Sequence, residues 1–312
     1  MEYAIKRLLQ GIPAILGVTF VVFFLLHSTG DPAQIMLGTY ATEEQIALFH
    51  QAYGLDKPLL HQYGLFVLNA IQGNFGVSIA QNRPAIEVVL TYLPNTLLLA
   101  IVSTLIALVV AIPCGVIAGV RRNSVFDYLL MGGAVLSQSV AQFWLGLMLI
   151  LVFAVQLHWL PSSGTGEGID RLKHMILPAL TLVPWLLAVT ARLTRSGMLE
   201  VMRQDYIRTA HAKGLTQFVV LRRHALRNAL IPVITMIALN LAYLVGGAII
   251  TEIVFAWPGI GFLAYRSVLT RDYPVVLAIV TIVAAAFIIM NILTDIVISY
   301  LDPRIRIKGG NV

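Results

Sequence analysis

Three groups of residues in this sequence could do chemistry, and spacing alone disposes of the first. The seven histidines (27, 50, 61, 158, 174, 211 and 224) are scattered along the chain with no metal-ligand spacing. Cys114 is the only cysteine and lies in an apolar run, so neither an intramolecular disulfide nor a thiolate metal cluster is available. There is no His-Glu-x-x-His. There is also no Gly-x-x-x-x-Gly-Lys-Ser/Thr loop, so the usual phosphate cradle for ATP is missing. The second group is a few isolated carboxylates, chiefly Asp295 in NILTDIVISYLDPR and Glu252 just before VFAWPGIG. The third is a basic run, RTAHAKGLTQFVVLRRHALRNA (208–229). It carries Arg208, Lys213, Arg222, Arg223 and Arg227 with no acidic residue, around a central Gly214.

The elements that must position these groups are membrane spans. Of 312 residues, 58% are hydrophobic and 12% charged, with a mean hydropathy of +0.85. Soluble domains carry about 25% charged residues. Charge-free gaps run over 8–30, 88–120, 128–166, 174–191, 228–251 and 273–294. Some 20 helical residues cross a hydrocarbon core of about 30 Å, so each gap reads as one span. The 128–166 gap is too short for two and reads as one long helix ending before Pro161. Lys6 and Arg7 precede a first gap that is long enough to span and is followed by no Ala-x-Ala site. It therefore reads as a retained helix rather than a signal peptide.

Six spans put both termini on one side, and the positive-inside rule selects the cytoplasm. That orientation places fifteen of the 21 Lys and Arg residues inside. The expected organisation is a first helix with a cytoplasmic N-terminus (1–30) and an extracytoplasmic lid or platform (31–92). A five-helix core (93–300) follows, containing a cytoplasmic loop over 192–230, and then a cytoplasmic tail (301–312). In the platform, TEEQIALFHQAYGL (42–55) is amphipathic, with Ile46, Phe49 and Tyr53 at helical spacing.

Between Arg192 and Arg227 lie eight Lys or Arg residues, and placing them in hydrocarbon would cost roughly 20 kcal/mol at about 2.5 each. The loop is therefore in water or at a headgroup surface. Leu199, Met202, Tyr206 and Ala210 share a helical face. Gly214 can cap that helix, and Thr216 can start a second one on which Phe218, Leu221 and Ala225 share a face. A solvated positive-inside connector, a DNA-reading helix-turn-helix and a docking element for a cytoplasmic partner all fit the charge. The apolar faces and the sharp turn favour docking, since a merely solvated loop needs neither.

The stretch DYIRTAHAKGL…RRHALRNALIPVIT resembles the cytoplasmic loop of inner-membrane permease subunits of ABC importers, in the peptide/nickel group. The general Glu-Ala-Ala pattern of such loops is degenerate here, agreeing only at Ala210, Gly214 and Leu226. Further support comes, in order along the chain, from TGDPA (29–33), GLDKPL (54–59), GNFG (73–76), FWLGL (143–147), VFAWPGIG (254–261), DYP (272–274) and LDPR (301–304). The resemblance implies an all-α polytopic membrane protein with six transmembrane helices and the type I ABC importer permease fold. It would sit in the bacterial inner membrane, with a pathway shared with a second permease and a substrate-binding protein docking above. Two ATPase subunits would bind below and would hold the ATP and Mg, leaving this chain without a cofactor, without nucleic acid and in contact only with lipid elsewhere. The coupling loop would comprise Tyr206, Thr209, Ala210, Ala212, Lys213, Gly214, Leu215, Arg223 and His224. The substrate would be a dipeptide, oligopeptide, glutathione or nickel chelate.

Outside the loop, Asn240, Tyr243, Glu252 and Asp295 are candidates to line the pathway, each with a structural hydrogen-bonding role as the plainer alternative. GG at 246–247 reads as close helix packing. Phe255, Trp257, Pro258 and Gly259 are candidates for an external or re-entrant gate, with Glu252 and Arg266 as a conceivable ion pair. Two other functions would fit a membrane protein of this size. An ion-coupled secondary transporter would show internal repeats and mid-membrane ionisable pairs. A membrane enzyme would gather catalytic residues near one face. Neither pattern is present.

Overall fold

A computed structural model describes residues 2–28, 30, 33, 37–38, 41–245 and 248–301. TGDPA in large part, the glycine pair 246–247 and all of LDPR but its leucine lie outside the described residues, as does the tail from 302 onward. Every regular element among the described residues is helical, and one isolated bridge joins Val77 to Pro84.

In chain order these are α1 (Glu2–Ser28), α2 (Glu43–Tyr53), α3 (Leu59–Ile71), α4 (Ala85–Val120), α5 (Val125–Ser139) and α6 (Gln142–Leu149), which runs on as a π-helix over Ile150–Gln156. Next come α7 (Asp170–Val201), α8 (Asp205–Ala212), α9 (Gln217–Val219), a second π-helix (Val220–Ala225) and α10 (Leu226–Ala229). The last four are α11 (Ile231–Val245), α12 (Ile249–Val254), α13 (Ile260–Leu269) and α14 (Tyr273–Leu301). Four helices are long and apolar enough to cross a membrane: α1, α4, α7 and α14. The count reaches six when two bent pairs are each taken as one span: α5 with α6 and its π extension, bent by 97°, and α9–α10 with α11, bent by 49°.

The first of these pairs corrects the expectation of one long helix across 128–160. The SQSVAQ stretch breaks it: Val140 and Ala141 take extended backbone. Before the break, the hydroxyls of Ser137 and Ser139 bond back to the carbonyls of Gly133 (2.8 Å) and Val135 (3.0 Å). Such back-bonding competes with the helix's own ladder and bends it.

The chain divides into two compact units. One comprises residues 1–97 and 245–289, the other 98–244 and 290–312. In the first unit, Phe23 and Leu26 of α1 pack with Tyr273, Val276 and Leu277 of α14, and Tyr63 and Phe66 of α3 lie against them. A second cluster joins Ala85, Val88 and Val89 of α4 to Ile260 and Leu263 of α13 and to Val275, Ala278 and Ile279 of α14. Asp272 fastens the segment before α4 to the start of α14. It is buried, and it accepts from the Ser78 hydroxyl and from the backbone amides of Ile79 and Ala80, both at 3.2 Å. The amphipathic helix expected over 42–55 is α2. Thr42 and Gln45 form a reciprocal capping box, and Ile46 and Phe49 are half-buried.

In the second unit glycines let helices meet closely. Gly115 and Gly119 of α4 meet α7 so tightly that a Cβ would come within 2.7 Å of the Ala191 carbonyl or 2.6 Å of the Met198 Cβ. Gly197 of α7 does the same to the Ala229 carbonyl, at 2.7 Å. Small residues at such crossings let helix backbones approach.

Candidate functional site

The basic loop is built on the end of α7. Met198 and Val201 of α7, Ile207 and Ala210 of α8, and Val220, Ala225 and Ala229 form one buried cluster. The helix-turn-helix reading of residues 205–229 is thus present, but the phase of its apolar faces differs from expectation. Tyr206 is 41% exposed while its neighbour Ile207 is buried, and Phe218 is 70% exposed while Val220 is buried. In the first arm the turn at Met202–Gln204 between α7 and α8 resets the phase, and in the second the π-helix over Val220–Ala225 widens the backbone, so a face counted at 3.6 residues per turn drifts off register. Tyr206 instead takes a hydrogen bond from Asn228 Nδ2 at 2.9 Å, tying the two arms of the loop together. Regular α-helix in the second arm lasts only three residues before the π turns, which removes the straight recognition helix that reading DNA requires.

The turn itself is held by backbone alone. Gly214 has φ +77°, its amide donates to the His211 carbonyl (2.9 Å), and the Leu215 amide donates to the Ala210 carbonyl (3.4 Å). These are the two bonds of a Schellman helix end. Nothing lies within 4 Å of the place where a Cβ on Gly214 would stand. Thr216 occupies the N-cap position of α9 with extended backbone but makes no side-chain capping bond. From His211 to Phe218 every residue is exposed, including the apolar Leu215 and Phe218. Thr209 bonds to the Asp205 carbonyl at 3.0 Å, while Ala212, Lys213 and Arg223 face solvent and His224 is partly covered.

A clamp connects this end of α7 to the turn between α4 and α5. Arg195 grips Asp127 with both Nε and Nη2, the latter at 2.7 Å, and Asp127 is buried. Asp127 also accepts from the Asn123 amide at 3.0 Å, and Ser124 caps α5 by accepting from the Asp127 amide at 3.2 Å. The end of α4, the start of α5 and the end of α7 therefore meet on one side. A bidentate, buried pair of this kind fixes orientation as well as contributing energy.

The second candidate region is the turn after α12. Glu252 is fully buried and receives the Thr96 hydroxyl at 2.7 Å and the Phe262 amide at 3.0 Å. Thr96 in turn accepts from the Ile260 amide at 2.7 Å. α12 lies outside the candidate spans. Burial pushes the Glu252 carboxyl above the ordinary carboxylate range, while hydrogen bonds from Thr96 and from the backbone amides of Phe262 and Gly261 pull it back. Its side chain explains two glycines. A Cβ on Gly259 would sit on the Glu252 carboxyl, and one on Gly261 would lie 2.7 Å from Ile249 Cα and 3.0 Å from Glu252 Oε2. Trp257 is buried and donates from Nε1 to the Asn95 carbonyl (3.1 Å), and Asn95 Nδ2 returns a bond to the Pro258 carbonyl (2.7 Å). Phe255 is buried as well. Arg266 is not the partner of Glu252. Its guanidinium lies 5.8 Å from the centroid of the Phe262 ring.

Sequence reasoning did not find Asn95, Thr96, Ser78 or Asp272. The first two carry no local signal, because their partners lie some 160 residues away. Asp272 stood in DYP, a stretch that supported only the family resemblance. Of the other candidates, Asn240 is buried, Tyr243 is exposed with its ring 6.3 Å from that of Trp185, and Asp295 is half-buried near the end of the last span. Among the described residues no three His, Cys, Asp or Glu side chains gather to hold a metal ion.

Comparison with known proteins covers the chain almost end to end. The profile described as "Binding-protein-dependent transport system inner membrane component" matches residues 111–307, and its N-terminal companion matches residues 1–100. The dipeptide transport system permease protein DppB of Alkalihalophilus pseudofirmus is 40% identical over 331 residues, covering 98% of this chain and 99% of that one. The glutathione transport system permease protein GsiC of Escherichia coli K12 is 42% identical over 309 residues, covering 99% and 100%. Among solved structures, a chain of the MetNI methionine ABC transporter, titled as inward-facing, superposes with a TM-score of 0.56 at 18% identity. The match covers 69% of this chain and 96% of that chain, and at this identity it speaks for the fold.

Proposed function

The chain belongs to the family of inner-membrane components of binding-protein-dependent transport systems, and from that premise we propose how it works as the permease subunit of an ABC importer. It pairs with a second permease, and the pathway runs between the two. A substrate-binding protein delivers from the extracytoplasmic face. Two separate ATPase subunits bind below; the exposed ridge His211–Phe218 seats in a groove of one of them, and ATP and its Mg stay with the ATPases. The substrate is a short peptide: both relatives carry one in their names, a dipeptide and the tripeptide glutathione. A nickel chelate is the alternative within the group.

The observation that carries the coupling role is the setting of Gly214. Both arms of the loop are anchored in a buried cluster with α7, yet the turn between them presents Leu215 and Phe218 to solvent. A connector needs no such anchoring, and a soluble surface gains nothing from exposing a large aromatic. Part of the topology proposed from charge, that the turn after α4 and the loop after α7 lie on one side, is supported by the Asp127–Arg195 clamp. It brings together the two loops that the charge rule places inside.

The test is assembly. Expressed with its partners, the Phe218→Asp chain should reach the membrane at the parent level but lose most of the co-purifying ATPase. The isolated chain should hydrolyse no ATP. If Phe218→Asp assembles and transports like the parent, the loop is a solvated connector and the coupling role is lost. Labelling of cysteines introduced at Asn123 and Gln217 from the cytoplasm, and at Thr42 and Gly164 from outside, checks the orientation independently.

A further inference from the structure

The segment between α1 and α4 holds a helix that does not look like part of a water-facing platform. α3 (Leu59–Ile71) has no charged residue, and the chain is free of Asp, Glu, Lys and Arg from Pro58 through Asn82. One face of α3 lies along α1. The Tyr63 hydroxyl donates to the Leu16 carbonyl at 2.9 Å and meets the Thr19 hydroxyl at 3.1 Å, and Gln62 meets His27 at 3.1 Å. Leu16 and Thr19 are interior residues of the α1 span, Gln10–Ser28. Reaching them takes the Tyr63 side chain more than two helical turns below Ser28, at 1.5 Å rise per residue.

A second flank of the helix is apolar and uncovered, beside a polar edge of exposed His61 and Asn69. Leu60, Leu68 and Ile71 are 69%, 61% and 79% exposed, and with Gly64 they recur at i, i+4, i+8 and i+11, forming one stripe. That is as much exposure as Val21 and Leu25 show on α1 itself, a helix whose free face must meet lipid. α2 is the contrast. It begins at Glu43 and Glu44, and its exposed residues include those two carboxylates, Gln45 and Gln51.

We propose that α3 is embedded in the leaflet at which α1 ends, with the Leu60–Gly64–Leu68–Ile71 stripe in contact with lipid acyl chains. The occupant is lipid rather than a protein partner because the helix is pinned to the interior of a span, at a depth where acyl chains already surround α1. An uncharged helix with one apolar flank beside His61 and Gln72 is suited to the boundary between headgroups and chains. The anchor would fix the delivery face of the permease at a set height above the bilayer. The inference rests on the reading of α1 as a membrane span.

Spin labels at Leu60→Cys, Leu68→Cys and Ile71→Cys, in a Cys114→Ala background, test it in the assembled complex reconstituted in phosphatidylcholine vesicles. Val21→Cys serves as the lipid control and Glu44→Cys as the water control. Collision with oxygen, which partitions into lipid, is compared with collision with a water-soluble nickel chelate. The expected result is a severalfold higher oxygen-to-nickel ratio at positions 60, 68 and 71 than at 44, approaching that at 21. Nickel access equal to position 44 would place the stripe in water and overturn the proposal. Protection from both probes would show a protein partner on the stripe and overturn it as well. If Val21→Cys itself reads as aqueous, the fault lies in the span assignment rather than in α3.

Discussion

Two turns in this chain have the same backbone plan and opposite surroundings. At Gly214 and at Ala256 a helix ends in a left-handed residue, with φ of +77° and +45°, and closes with the same pair of hydrogen bonds. The pairs are Gly214 to His211 and Leu215 to Ala210 in one, Ala256 to Ile253 and Trp257 to Glu252 in the other. The first turn uses glycine and is wrapped in solvent. The second uses an L-residue, which costs about 1–2 kcal/mol in this conformation. It is held by buried Phe255, Trp257 and Glu252. The difference separates two jobs. A turn whose shape is fixed by its own backbone can offer its outer surface to a partner. A turn whose shape is imposed by a buried network is a brace, and its residues are committed inward.

The brace should be the costlier to break. Glu252→Ala strips the Thr96 hydroxyl and the Phe262 amide of their acceptor and leaves a void beside Gly259 and Gly261. The expected loss is about 3 kcal/mol, the range for a buried polar network deprived of one member. Thermal unfolding of the detergent-solubilised complex should show a clearly lowered midpoint, with lower membrane levels. Glu252→Gln should lose less, because the amide oxygen still accepts from Thr96. An unchanged midpoint in Glu252→Ala would mean that the network is not what holds the turn.

Gly214→Val comes next, and it should fail differently. No atom stands where its side chain would go, so the strain is backbone strain alone, about 1–3 kcal/mol for a β-branched residue at positive φ. An exposed turn relieves such strain by unwinding locally. Midpoint and membrane level should stay near the parent, while ATPase co-purification and substrate-stimulated hydrolysis fall together. A large drop in midpoint with coupling intact would reverse the assignment of the two turns.

The exposed turn was legible in the sequence, because everything it needs is local: a glycine, two amphipathic flanks and a charge rule. Its phase was not, since neither the turn at Met202–Gln204 nor the π-helix over Val220–Ala225 has a sequence signature at one-residue resolution. The spans were legible for the same local reason, except at two breaks that hydropathy draws as continuous: the serines around 137–139, and Leu230, where the gap read as 228–251 bends by 49°. The brace was half legible. The glycines 259 and 261 and the carboxylate 252 were visible as a motif, but their shared cause was not, because Thr96 and Asn95 join them only through the fold. Glu252 and Arg266 invited pairing by charge, whereas a fully buried carboxylate beside backbone amides is satisfied without a cation. The apolar character of α3 was present in plain sight as a charge-free stretch. It was absorbed into the reading of 31–92 as one extracytoplasmic lid or platform.

The smallest effect is also the sharpest comparison, because the two turns predict opposite signs for reciprocal exchanges. Ala256 is exposed, so Ala256→Gly removes no core contact and releases the cost of the left-handed residue. Against that gain stands the extra freedom of glycine in the unfolded chain, about 0.5–1 kcal/mol. The net is a gain of at most about 1.5 kcal/mol, read as a small rise in thermal midpoint. Gly214→Ala introduces the same cost where glycine had avoided it. Here the global midpoint should hold, and the change should appear as faster hydrogen exchange at the Leu215 amide, whose bond to the Ala210 carbonyl closes the turn. A fall in midpoint for Ala256→Gly would show that the methyl group carries a contact of its own. An unchanged exchange rate at Leu215 in Gly214→Ala would show that solvent alone, with no tension stored in the turn, sets the shape of the loop.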